Sequence, residues 1–137
     1  MRRLIATLTG LLLACAAAAE QPPALSLELN AAELVGESCR LTFVLSNGLE
    51  GDIDELVAET VLFSSDGAVL LLTLFDFGTL PAGRPRVRQF QVPDTSCDRI
   101  GQVLINGIAT CTIAGEASDA CANALLVSSR LDIKMEG

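Results

Sequence analysis

Four cysteines, Cys39, Cys97, Cys111 and Cys121, constrain this chain more than any other feature of it. No two of them stand at the close spacing of zinc-ligand pairs, and none forms the C-x-x-C of thiol redox catalysis. An even set in a small exported chain reads as two disulfides made in an oxidising compartment. Three connectivities are open to four cysteines. The turn-like stretch Ala114-Gly115-Glu116-Ala117-Ser118-Asp119 favours Cys111 with Cys121, a bond closing a hairpin loop, which leaves Cys39 for Cys97. Closing that longer loop restrains the unfolded chain and contributes on the order of 4 kcal/mol.

The cysteine set is even only because a fifth, Cys15, falls in a leader. Residues 1–19 carry Arg2 and Arg3, an apolar run from Leu4 to Ala14, and small residues from Ala16 to Ala19. That is the pattern of a secretory signal peptide, with Ala17-Ala18-Ala19 as the cleavage signal. The apolar run is too short for about 30 Å of hydrocarbon. Arg2-Arg3 has no preceding Ser and no following Phe-Leu-Lys, so the general secretory route is expected over the twin-arginine one. Leu12-Leu13-Ala14-Cys15 partly matches a lipobox, which would make Cys15 a lipidated first residue; the other outcome is that Cys15 is discarded with the leader. The expected location is therefore periplasmic or secreted, or a lipid-anchored envelope lipoprotein, and membrane contact is expected only through lipidation at Cys15.

Without Arg2 and Arg3 the nine basic residues become seven, against 17 acidic ones, so the net charge moves from −8 to −10. Such a chain is repelled by nucleic acid and by anionic lipid, which need clustered Lys and Arg. A cationic protein, peptide or metal ion would be attracted.

The remaining sequence reads as strands. Residues 20–24 form a stiff linker around Pro22-Pro23, and residues 25–137 make one domain. Leu25, Leu27 and Leu29 alternate with Ser26, Glu28 and Asn30, and Leu41, Phe43 and Leu45 with Thr42, Val44 and Ser46. Two strongly apolar segments, Leu56 to Phe63 and Ala68 to Phe75, flank Asp66-Gly67, a hairpin signal of type I′. Leu80-Pro81-Ala82-Gly83 makes another turn, and a strand from Arg86 to Val92 ends at Pro93. Further strands run from Ile100 to about Ile108 and from Leu125 to Met135, the last with Leu125, Val127, Leu131 and Ile133 on one face. Seven short strands with turns between them and no amphipathic helix predict an all-β fold: a seven-stranded antiparallel immunoglobulin-like β-sandwich, with a small β-barrel as the alternative. The Cys39–Cys97 bond would then resemble the inter-sheet bridge of immunoglobulin domains, although the core tryptophan of those domains is missing.

The absence of histidine excludes imidazole acid–base chemistry, Ser-His and Cys-His nucleophiles and imidazole metal ligands. No G-x-S-x-G elbow is present. Glu50, Asp52, Asp54, Glu55 and Glu59 could offer oxygens to calcium, but without the spacing of an EF-hand a solvated loop guarding a sheet edge is the preferred reading. Arg84, Arg86 and Arg88 recur at every second residue, giving a possible anion-contact row, with ion pairing or edge protection preferred. Phe43, Phe63, Phe75, Phe77 and Phe90 are expected in the core. No cofactor is expected.

The segments Cys39-Arg40-Leu41-Thr42-Phe43, Glu59-Thr60-Val61-Leu62-Phe63, Leu74-Phe75-Asp76-Phe77-Gly78, Gly83-Arg84-Pro85-Arg86-Val87-Arg88-Gln89-Phe90 and Val103-Leu104-Ile105-Asn106-Gly107 resemble a family of small exported alphaproteobacterial proteins of unknown function, some labelled twin-arginine pathway signal proteins. The resemblance implies export and the cysteine set. The strand, Asp66-Gly67 turn and strand, followed by Pro81-Ala82-Gly83 and a strand with Phe90, is also similar to FxLYD-type bacterial immunoglobulin-like modules. Together these readings lead to a non-enzymatic periplasmic binding or interaction module with a protein partner in the cell envelope. The alternatives are an inhibitor or escort of a cationic envelope enzyme, a surface-assembly subunit, and a calcium-binding envelope protein.

Overall fold

The computed structural model describes residues 14–137; most of the expected signal peptide, with part of the Leu12-Leu13-Ala14-Cys15 lipobox, lies outside the described residues. Residues 14–24 have no regular structure, and the strands begin at Leu25. They are β1 (Leu25–Val35), β2 (Ser38–Asn47), β3 (Ile53–Ser64), β4 (Val69–Leu80), β5 (Pro85–Val92), β6 (Ile100–Ile113), β7 (Glu116–Ala117), β8 (Leu125–Ser129) and β9 (Lys134–Glu136), with one short helix, α1 (Ala120–Ala124). One sheet has the order β5-β2-β1-β8, the other β4-β3-β6-β7 with β9 beside β6. The chain passes to the second sheet from β2 to β3, back from β4 to β5 and over again from β5 to β6, so β5-β2-β1 faces β4-β3-β6 in an immunoglobulin-like winding. Both sheets have open edges, and the barrel alternative is excluded.

The sandwich differs from the expected one in its last strand. Residues Leu125 to Met135 do not form one strand. A bend after β8 sends the chain across the sandwich, so β8 lies parallel to β1 and β9 parallel to β6. The alternation read from sequence survives the bend, because Leu125, Val127, Leu131 and Ile133 all pack on the core. Among the described residues the strand count is nine rather than seven, the split adding one and the two-residue β7 another, and two of the pairings are parallel.

Local turn chemistry explains three of the hairpins. Gly36 has φ +62° at the first position of the two-residue link between Val35 and Ser38, which is where a type II′ turn needs glycine. The Asp66-Gly67 hairpin forms, but not as type I′. Only Gly67 has positive φ, at +88°, with Ser64 O accepting from Gly67 N (3.0 Å) and Ala68 O from Ser64 N (2.8 Å). This is a type I turn closed by a left-handed glycine, the three-residue hairpin loop. Asp66 caps it by accepting from the Ser64 hydroxyl. That bond, and hydrogen bonds from the backbone of Ala68 and of Asp66 itself, hold its carboxyl below the usual carboxylate range. The type I′ geometry sits elsewhere: Ala114 (φ +51°) and Gly115 (φ +77°) join Ile113 to its partner Glu116.

The core fills from both inner faces. Leu25, Leu27 and Leu29 of β1 and Leu41, Phe43 and Leu45 of β2 pack against Leu56, Ala58 and Leu62 of β3, Phe75 and Phe77 of β4, and Val103 and Ile105 of β6. Phe43 is the hub of an aromatic cluster, its ring centroid 5.9 Å from Phe75, 5.7 Å from Phe77 and 6.0 Å from Phe90. Phe75 and Phe90 stack at 4.2 Å and tie β4 to β5 across the two sheets. Phe63 departs from expectation. It is half-buried and lies outside this cluster, opposite Gln102 on the outer face.

Two disulfides close the ends. Cys39, at the start of β2, joins Cys97 in a single 3-10 turn just before β6; Cys111 of β6 joins Cys121 of α1. This is the connectivity that the loop argument favours. Cys39–Cys97 resembles an inter-sheet bridge in sequence order but pins a turn at one end of the sandwich.

A buried polar latch holds the opposite corner. Asn47 is 1% exposed, and its amide donates to Gly51 O and Leu80 O (both 2.9 Å) while its Oδ1 accepts from Leu49 N at 2.9 Å. All of its side-chain valences on the β2–β3 loop and the end of β4 are thereby met. Asn47→Ala strands two buried carbonyl contacts and one N–H, and is expected to cost about 2 kcal/mol in urea unfolding. Loss within a few tenths of a kcal/mol would show the latch to be idle.

Candidate functional site

Two features singled out by sequence, the acidic stretch and the arginine row, prove to be built into the backbone. Asp52 Oδ1 accepts from Ala82 N (2.8 Å) and Asp54 Oδ2 from Gly115 N (2.9 Å). Thr79 Oγ1 donates to Asp54 O at 3.0 Å. Each carboxylate therefore closes a turn from a distant part of the chain: Asp52 the β4–β5 corner, Asp54 the β6–β7 turn. Glu59 lies one turn of sequence away, on β3, and accepts from the Asn106 amide. Glu50 and Glu55 are exposed beside Asp52 and Asp54. Among the described residues no three Asp, Glu, Cys or His side chains are grouped to hold a metal ion, so the calcium candidates are brought to one end without forming a coordination set.

That end collects charge from both loops. Because Asp54 takes hold of Gly115, Glu116 is carried to the same end as Glu50, Asp52, Asp54 and Glu55. The sequence placed the acids in one loop; the addition of Glu116 follows from a long-range hydrogen bond that spacing cannot announce.

The arginine row is divided between β5 and the turn before it. Register places Arg86 opposite Leu45 and Arg88 opposite Phe43, both core residues, so these arginines point to the inner side of the β5 edge. Arg88 reaches across to β4, where its Nε donates to Phe77 O (2.7 Å) and its Nη2 to Thr79 O (3.0 Å). Its Nη1 donates to Val87 O at 3.1 Å. Arg86 Nη1 donates to Pro85 O at 3.0 Å, and Arg84 stands outside the strand in an exposed turn. The row is not assembled as an anion-contact surface. Inward-pointing charge at a sheet edge is a known way of guarding it, which is the edge-protection reading.

Sequence reasoning missed two surfaces. An open groove runs beside the Cys111–Cys121 bond, lined by Thr110, Thr112, Ser118 and Asp119. The outer faces of the two sheets are the other. Around β2, the outer face of the first sheet mixes Thr42, Gln89, Gln91, Ser46 and the Arg40–Glu33 ion pair (3.3 Å) with Val44 and its exposed partner Val87. The outer face of the second carries Leu72 and Leu74, each 59% exposed, beside Val61 and Leu104. The apolar run Val69-Leu70-Leu71-Leu72 hides this, since a strand apolar on both faces gives no period-two signal. Cys15 is a free, exposed thiol.

These observations define a small disulfide-stapled β-sandwich whose loops and faces, rather than a closed cleft, carry its distinctive chemistry. A solved structure of similar architecture is that of IrmA from Escherichia coli, from a study titled as its structural characterisation: TM-score 0.59, 14% identity, covering 77% of this chain and 92% of that one. At that identity the likeness bears on the fold alone. No protein-family model and no curated protein matches the chain.

Two disulfides fit an oxidising extracellular compartment. Among the described residues no helix is long and apolar enough to cross a membrane.

Proposed function

We propose that this chain is a non-enzymatic binding module of the periplasm or secreted space, presenting its acidic loop end to a cationic protein partner of the cell envelope. The observation that carries this reading is the hydrogen bond from Gly115 N to Asp54, which holds the start of β3, just after the acidic β2–β3 loop, against the β6–β7 turn beside Glu116. Preset loops on a disulfide-stapled frame lose little conformational entropy on binding. A surface of one sign also steers an oppositely charged partner and weakens as salt screens it. The chain's own chemistry supports recognition over catalysis: it has no histidine, and Asp52, Asp54 and Arg88 are engaged with backbone groups.

A photo-crosslinking side chain placed at Glu55 and at Glu116 in cells tests it. Each is expected to trap the same partner, with yield falling as ionic strength rises, while the same probe at Gln89 on the outer face of the first sheet traps none. No adduct at either acidic position would sink the reading. An adduct with a basic hydrolase whose activity falls on binding would narrow the module to an inhibitor.

A further inference from the structure

The dipeptide Asn-Gly occurs at Asn47-Gly48 and again at Asn106-Gly107, and the fold treats the two copies oppositely. In such a pair the backbone can turn on its own side chain, because glycine has no Cβ to obstruct its nitrogen as that atom approaches the Asn amide carbon. At Asn47 the groups that this reaction needs are held. Its amide donates to Gly51 O and Leu80 O, its Oδ1 accepts from Leu49 N, and Gly48 N, the nucleophile, donates to Ala24 O at 2.8 Å. The side chain is also buried, away from the water that the second step consumes.

Asn106 lacks this cover. It is exposed on β6, and among the described residues its side chain has one partner, the Glu59 carboxylate. The register against β3 steps from Glu59 opposite Gly107 to Thr60 opposite Ile105, so Asn106 is the extra residue of a bulge and has no place in the ladder. A second shift, between Val57 and Ala58, leaves Ala109 extra as well. On the other side of β6, β9 covers Gln102 to Leu104 and β7 covers Thr112 and Ile113, so residues 105–110 are paired with β3 alone. Gly107 is itself paired with Glu59, and its nitrogen is freed by local opening. An exposed stretch with two bulges and one neighbouring strand opens at low cost.

We propose that Asn106 is a site of spontaneous deamidation, and that the fold confines this modification to it. Gly107 N attacks Asn106 Cγ; the N–Cγ bond forms as the Cγ–Nδ2 bond breaks, and the Gly107 amide proton leaves with Nδ2 as ammonia. Water then opens the cyclic imide at either carbonyl. One opening gives aspartate, and the other gives isoaspartate, with the main chain rerouted through the side-chain carbon. Either product sets a carboxylate where an amide had met Glu59, placing like charges together on neighbouring strands. Isoaspartate also adds a methylene to the backbone of β6, next to a bulge that already interrupts its pairing.

Peptide mass mapping of the folded chain, disulfides intact, held for weeks in mildly alkaline buffer beside a reduced chain unfolded in urea, tests this. The unfolded chain is expected to deamidate at both Asn47 and Asn106, and the folded chain at Asn106 alone, with isoaspartate among the products. Gly107→Ala should slow the reaction about tenfold or more by crowding the attacking nitrogen, without lowering the melting temperature, since the added Cβ meets nothing within 4 Å. Asn106→Asp, one of the two products, should lower the melting temperature, and adding Glu59→Gln should restore it. A folded chain in which Asn106 stays as intact as Asn47 overturns the proposal. Conversion to aspartate without isoaspartate, or at a rate that Gly107→Ala leaves unchanged, overturns it equally, because direct hydrolysis would then replace attack by Gly107.

Discussion

Replacing Cys39 and Cys97 together with alanine is expected to lower stability by about 4 kcal/mol, because the bond closes a loop across a sequence separation of 58 residues. Small domains hold roughly 5 to 15 kcal/mol in all, so this single change removes a large part of it. Removing Cys111–Cys121, with a separation of 10, should cost less, about 3 kcal/mol on the same chain-entropy argument. Urea unfolding of the two double variants decides the order. A larger loss from the shorter loop would mean that the bonds act by holding native packing, Cys121 against β6 in particular, and not by restraining the unfolded chain. Cys39 is fully buried, so alanine there also leaves a small void, which adds to the expected cost.

Phe43→Ala is expected to cost about 3 to 5 kcal/mol, comparable with the loss of the long disulfide. The ring is fully buried and lies edge-on or tilted to three others from β4 and β5, so its removal opens a void at the junction of both sheets. Phe90→Ala should cost less, since that ring is only half-buried at the sandwich edge. Equal losses at the two positions, measured by thermal and urea unfolding, would contradict the picture of Phe43 as the hub. Phe43→Leu keeps most of the volume and should recover more than half of the alanine loss.

The inner faces were readable because they obey a period of two. Leu25, Leu27, Leu29 and Leu41, Phe43, Leu45 recur at every second residue, with Ser26, Glu28, Thr42 and Val44 between them, and all six are buried. Cysteine spacing pointed to the right pairs because a ten-residue separation with a turn inside it closes easily. What resisted reading has physical causes of its own. Arg84, Arg86 and Arg88 show period two as clearly as the leucines do, yet periodicity gives a shared face and not which face, and at a sheet edge a long side chain can point inward and still find partners. The run from Val69 to Phe75 is apolar on both faces, so nothing in it separates Phe75, which is buried, from Leu74, which is not. Asp54 looked like a loop acid because its partner, Gly115, is 61 residues away. The split between β8 and β9 depends on Arg130 N reaching Leu29 O (3.0 Å), a contact with the far end of the chain.

That split also couples the two layers. β8 completes the first sheet against β1, the opening strand, and β9 lies on β6 in the second, so residues 125–137 touch both layers. Cutting the chain before Leu125 would bare the β1 edge of one sheet and part of the β6 edge of the other in a single step.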